Sequence, residues 1–112
     1  MINIGAAIAS TAGYGQVQAY INTFDGRIDT RTAGRVQACF GIGNTVSTGS
    51  IDINSPIGTI TFHVVNADTL FLLCLQDIDR LGVYFNNLTD TIVTAENSKI
   101  KVVRLFNHPF LV

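Results

Sequence analysis

Hydrophobic and polar residues alternate along most of this chain. In GRVQACFGIG, Val36, Ala38, Phe40 and Ile42 alternate with Arg35, Gln37 and Cys39, the period-2 mark of a strand with one buried face. GSIDINSPIGTITFHVV predicts two strands. Ile51 and Ile53 mark the first, and Ile60, Phe62 and Val64 mark the second. NSPIG is the turn between them, because proline cannot donate to a ladder and glycine relaxes the backbone. LGVYFNNLTDTIV predicts a hairpin around Asn86-Asn87, and SKIKVVRLF alternates again near the end. Helical spacing is rare. TAGYGQVQAY supports no more than a short helical turn, since its glycines disfavour a helix. LQDIDRLG is the one clear helix. Leu75, Ile78 and Leu81 share a face, acids come early, Arg80 comes late, and Gly82 follows as a stop. The pattern predicts a mostly β domain with one short, late helix.

Composition narrows the class. At 112 residues the chain is long enough for one domain. The net charge is -1 and the pI about 6.0, so charge alone draws the chain to neither nucleic acid nor an anionic membrane. Charged residues are only 13% and apolar residues 47%, an adhesive surface for a monomer that points to an oligomer or to a piece of a longer chain. The longest wholly apolar run, Leu70 to Leu75, is far short of a membrane span, and no basic segment precedes Arg27 as in a secretory signal. A cytoplasmic location is therefore expected, with Cys39 and Cys74 as free buried thiols and the Asn87-Leu88-Thr89 sequon idle.

Three blocks stand in a particular order. An apolar strand enters NIGAA at the N-terminus. A glycine-rich hairpin, AGRVQACFGIGNTVSTG, follows some thirty residues later. FLLCLQDIDRLGVYFNN then runs an apolar strand into a glycine-closed helix. Over positions 1–95 this order resembles the retropepsin-like aspartic proteases, in particular the protease segment of fungal LTR-retrotransposon polyproteins. VVRLFNHPFLV is similar to the segment by which the family's chain leaves the protease, so 96–112 is expected to be a strand and a tail leading toward the rest of a polyprotein. The resemblance implies a closed acid-protease barrel with a glycine-containing flap hairpin over the site (Phe40, Gly41, Ile42 and Gly43) and one short C-terminal helix. It also implies a homodimer that takes an extended peptide, without a cofactor. The family has a strand before the active-site strand, whereas Met1 stands almost at the motif, so that strand is expected to be missing.

The family's catalytic motif is Asp-Thr-Gly-Ala or Asp-Ser-Gly-Ala. Matching places Asn3 on the Asp, Ile4 on the Thr, Gly5 on the Gly and Ala6 on the Ala. The motif's frame is kept and its chemistry is not. Aspartic proteases need two carboxylates that share one proton, one from each subunit of a two-fold dimer. An amide holds a water but cannot take its proton, and Ile4 lacks the hydroxyl that braces the family's loops across the dimer. The expected function is that of a retropepsin-like protease domain, inactive because Asn3 replaces the catalytic Asp. The alternatives are an active aspartic endopeptidase, if position 3 is in truth a carboxylate, and a non-catalytic dimerisation or peptide-binding module.

Other chemistry is less specific. FGIGNTVSTG is not a dinucleotide loop, because Gly41 and Gly43 are followed by Val46 and no helix. His63, on the polar face of a strand, and His108, on the tail, stand beside no other ligand type at metal spacing, so no metal is expected. A Cys–His nucleophile would require the fold to join residues distant in sequence. Asp77 and Asp79 fit the helix dipole and solvent. Asp25, Asp29 and Asp52 fit turns and strand edges.

Overall fold

The structure, a computed structural model, describes residues 2–4, 9–40, 43–105 and 108–111. It is mostly β, with eleven strands and two helices among the described residues. In chain order these are β1 (Ile2–Ile4), β2 (Thr11–Gly13), α1 (Tyr14–Thr23), β3 (Gln37–Phe40), β4 (Gly43–Val46), β5 (Gly49–Ser55), β6 (Gly58–Val65), β7 (Phe71–Leu73), α2 (Leu75–Leu81), β8 (Tyr84–Asn86), β9 (Thr91–Val93), β10 (Lys99–Leu105) and β11 (His108–Leu111). Nine strands form one sheet in the order β5-β6-β2-β7-β1-β11-β10-β9-β8, curled into a half-barrel. Among the described residues the other two, β3 and β4, pair only with each other, from Gln37↔Val46 to Phe40↔Gly43.

The period-2 pattern becomes the β5–β6 hairpin. Ile51 faces Phe62 and Ile53 faces Ile60 on the buried side. Asp52 and Asn54 meet Thr61 and Thr59 on the outer side, where the threonine hydroxyls donate to Asp52 Oδ1 at 2.6 Å and Asn54 Oδ1 at 2.8 Å. Phe62 packs edge-on against Phe71 with ring centroids 5.1 Å apart, and Tyr20 reaches Phe71 from α1. With Leu73, Ile92, Val102 and Leu111, these side chains make one continuous core beneath the sheet.

Two features differ from the sequence expectation. There are two helices, not one short late helix. α1 spans ten residues because Gly13 and Gly15 fall at its cap and in its first turn, leaving the rest uninterrupted. Val17, Tyr20 and Ile21 then recur at helical spacing toward the core. The C-terminal residues also do more than alternate. β10 pairs with β9 and β11, and β11 lies against β1 with Ile2↔Leu111 and Asn3↔Phe110. α2 ends as its sequence predicts. Gly82 takes the left-handed conformation, φ 66°, and its N–H closes on Ile78 O and Asp79 O.

Topology around β7 positions the site. β1 runs parallel to β7, in register Ile2↔Phe71, Asn3↔Leu72 and Ile4↔Leu73. β2 lies on the other side of β7, antiparallel to it at Thr11↔Leu72, and runs parallel to β6. β1 and β2 thus flank β7, one parallel to it and the other antiparallel.

Candidate functional site

The segment joining β1 to β2 carries the motif that the sequence singled out. Asn3 lies in β1 between Leu72 and Phe110, and its side chain is outside the described residues, as are Gly5 and Ala6. Ile4 is described. It is only 8% exposed and belongs to the core cluster. Of the second predicted group, Phe40 and Gly43 pair at the end of the β3–β4 ribbon, while Gly41 and Ile42 fall outside the described residues. The backbone thus places Asn3 and Ile4 beside Leu72 and Leu73, joining the first and third sequence blocks.

Where the segment returns to described structure, Ser10 anchors it. Ser10 is 1% exposed. Its carbonyl accepts from His63 N–H at 2.9 Å. Its hydroxyl accepts from Cys74 N–H at 3.0 Å and donates to Asp77 Oδ2. Cys74 is the N-cap of α2 and Asp77 stands three residues on, the spacing of a capping box. The Cys74 thiol takes the Asp77 N–H at 3.4 Å, as a serine cap would. The reciprocal bond is relayed, because the Ser10 hydroxyl sits between Cys74 N–H and the Asp77 carboxylate. One side chain from the β1–β2 segment thereby completes the cap of α2.

The sequence pattern assigns Asp77 to the helix dipole and solvent. It does lie in the first turn of α2, and it also bonds Ser10, the Cys74 thiol at 3.4 Å and Arg80 Nε at 3.3 Å. Burial pushes the Asp77 carboxyl up, but these hydrogen bonds and the Arg80 charge outweigh burial and hold it below the ordinary 3.8. A carboxyl held low in the folded state stabilises the fold above its unfolded value, and that contribution disappears as pH falls through the lower folded value. Asp77→Ala also strips the Ser10 hydroxyl of its acceptor. It is expected to lower stability by about 1–3 kcal/mol at neutral pH, read as a lower urea midpoint, and to flatten the acid limb of the stability profile. Asp77→Asn keeps an acceptor and should recover part of the midpoint but not the acid limb.

Ser10, Cys74, Asp77 and Arg80 form one wall of a cleft of about 410 Å³. Thr59, Thr61 and His63 of β6 form the other. His63 is half-buried and not simply on a solvated face. Its Nδ1 is buried with no hydrogen-bond partner, and so is the hydroxyl of Thr11, its register neighbour on β2. Burial pushes the imidazole below 6.5, the Asp77 charge pulls it back up, and Arg35 adds to the lowering. The fold does bring a cysteine and a histidine to one cleft. The Cys74 thiol, however, is buried and committed to Asp77, so it is not placed as a nucleophile for His63.

Elsewhere, Asp29 caps a 3-10 turn at Thr30–Thr32 and pairs with Arg31, and Asp52 is held by Thr61, the turn and strand-edge roles expected. Among the described residues no three His, Cys, Asp or Glu side chains group as a metal site, and no helix is long and apolar enough to cross a membrane. A scan against protein-family models finds no match to the chain, and a comparison with curated proteins finds none.

Proposed function

We propose that this chain is a retropepsin-like protease domain of the retrotransposon polyprotein type, disabled at position 3, which retains the capacity to pair with a second copy and to hold an extended peptide. The observation that carries this reading is the β1–β7 register. Asn3↔Leu72 and Ile4↔Leu73 set the first two residues of the matched stretch beside the apolar strand that precedes α2. The β3–β4 ribbon, separate from the main sheet, supports a flap role for Phe40 to Gly43. A glycine-bounded ribbon there would admit a peptide and close on it. Two copies would bring two Asn3 amides together, a pair that orders a water but cannot deprotonate it.

One observation favours the non-catalytic interaction module as a second reading. Ile4 packs into the core, where the family's hydroxyl would instead brace the partner's loop. A dimer of this chain would then rest on strand and side-chain packing.

Sedimentation of the chain alone and with an extended, protease-resistant peptide tests retained pairing and binding. A dimer that takes up the peptide by strand addition is expected. A monomer at every concentration, indifferent to the peptide, would count against both readings.

A further inference from the structure

The cleft between β6 and α2 is polar on both walls, and the function proposed above uses neither wall. Thr59, Thr61 and His63 alternate along one face of β6, and Asp77 and Arg80 stand opposite on α2. What such a cleft recognises depends on which of its hydrogen-bonding groups already have partners.

The carboxylate is engaged. Asp77 Oδ2 takes the Ser10 hydroxyl, and Oδ1 takes Arg80 Nε at 3.3 Å. The Thr59 and Thr61 hydroxyls donate away to Asn54 and Asp52, so they give the cleft no donor. Arg80 is different. A guanidinium has five N–H donors. Nε meets Asp77 and Nη2 meets Thr59 O at 3.3 Å, which leaves three unengaged among the described residues. The side chain is 54% exposed, so those donors are open to a ligand.

His63 adds a further donor. Its ring lines the cleft while Nδ1 is buried without a partner, so the Nε2 edge meets the cleft. Thr11, 1% exposed, is the register neighbour of His63 on β2, and its hydroxyl also lacks a partner. Leu72 on the far side of Thr11 offers it nothing polar. A hydroxyl donating to Nδ1 satisfies both groups. The reverse bond, Nδ1–H to the hydroxyl oxygen, would strand the hydroxyl proton. Thr11 therefore favours the Nε2–H tautomer, which aims a donor into the cleft.

We infer that the β6–α2 cleft is a binding site for a carboxylate, held by the free guanidinium edge of Arg80 and by Nε2–H of His63, with Thr11 setting the tautomer. A planar guanidinium edge matches a carboxylate with two parallel N–H···O bonds. Asp77 orients that guanidinium and shares its charge, so the affinity is modest, about millimolar. The cleft volume of about 410 Å³ admits a small acid or the C-terminal end of a peptide. The inference stands apart from the protease reading, since it uses none of the matched motif.

The test is an NMR titration of the full chain at neutral pH, following Arg80 Nε–H and the His63 ring nitrogens. One arm compares succinate with succinamide. The other compares N-acetyl-trialanine with its C-terminal amide. Saturating shifts at both residues are expected with the acids and not with the amides. The acid that saturates at lower concentration tells a free acid from a chain end. Arg80→Lys keeps the charge and loses the fork, on an exposed side chain that the core does not need. It should weaken binding by about tenfold. Without ligand, the ring nitrogens should report the Nε2–H tautomer, and Thr11→Val should reduce its share. Equal responses to acids and amides, saturation by neither acid, undiminished affinity in Arg80→Lys, or a His63 protonated at Nδ1 alone would each overturn the inference.

Discussion

Gly13→Ala is expected to destabilise this protein more than any other single-methyl change at its described glycines. Gly13 ends β2 and precedes α1, and its N–H donates to Thr69 O at 3.2 Å. A Cβ at this position would lie 2.4 Å from Thr69 O, 2.5 Å from Ala67 O and 2.8 Å from Thr69 N. All three are backbone atoms of the turn that leads into β7, so no rotamer relieves the overlap. Either β2 or that turn must move, and both border the strand that carries the site. Overpacking a rigid site costs about 3 kcal/mol at its upper end, which lowers Tm by roughly 10 °C in a domain of this size. Gly15→Ala is the control. Nothing lies within 4 Å of its added Cβ, and alanine favours a helix by about 1 kcal/mol. Thermal unfolding of the two variants should therefore move in opposite directions.

On the proposed reading, Asn3→Asp is expected to create an activity that the natural chain lacks. The register puts position 3 next to Leu72, so each copy would carry one carboxylate beside β7. In a two-fold pair the two carboxylates share a proton. One takes the proton of a bound water and the other donates to the peptide carbonyl. General acid–base catalysis of this kind contributes about 10²–10⁴-fold over a site without it. The rate should be bell-shaped in pH, with two apparent values that belong to the pair and not to either residue. Ile4 is left in place, because it is core and a threonine there would bury a hydroxyl.

Much of the strand pattern was legible in the sequence because alternation survives wherever one face is buried. Ile51, Ile53, Ile60 and Phe62 occupy the core positions their spacing predicts. α2 was legible from its Leu75, Ile78, Leu81 spacing and its glycine stop. α1 was hidden because helix propensity counts Gly13 and Gly15 fully, although at a cap and in a first turn their effect is small. The position of β11 against β1 was illegible, since pairing between chain ends leaves no local periodicity.

At the site, the sequence singled out Asn3 to Ala6 but not the Ser10–Cys74–Asp77 node. Ser10 looks like one more small residue in a run of them, and its partners are 64 and 67 residues away. A signal did exist. Cys74 and Asp77 have capping-box spacing, which a thiol in place of a hydroxyl disguises. His63 was placed on a polar face because the alternation of β6 is correct. Only the fold lays α2 over that face.

The most direct test of a protease frame disabled at position 3 is a peptidase assay from pH 4 to 7. It compares the natural chain with Asn3→Asp, each with and without pepstatin, after both are shown to be folded and in the same oligomeric state. The account predicts no cleavage by the natural chain and pepstatin-sensitive cleavage by Asn3→Asp. Pepstatin-sensitive cleavage by the natural chain would contradict it, because the catalytic carboxylate would then lie elsewhere. A folded, dimeric and inert Asn3→Asp would contradict it too, because the frame would then not be that of a protease.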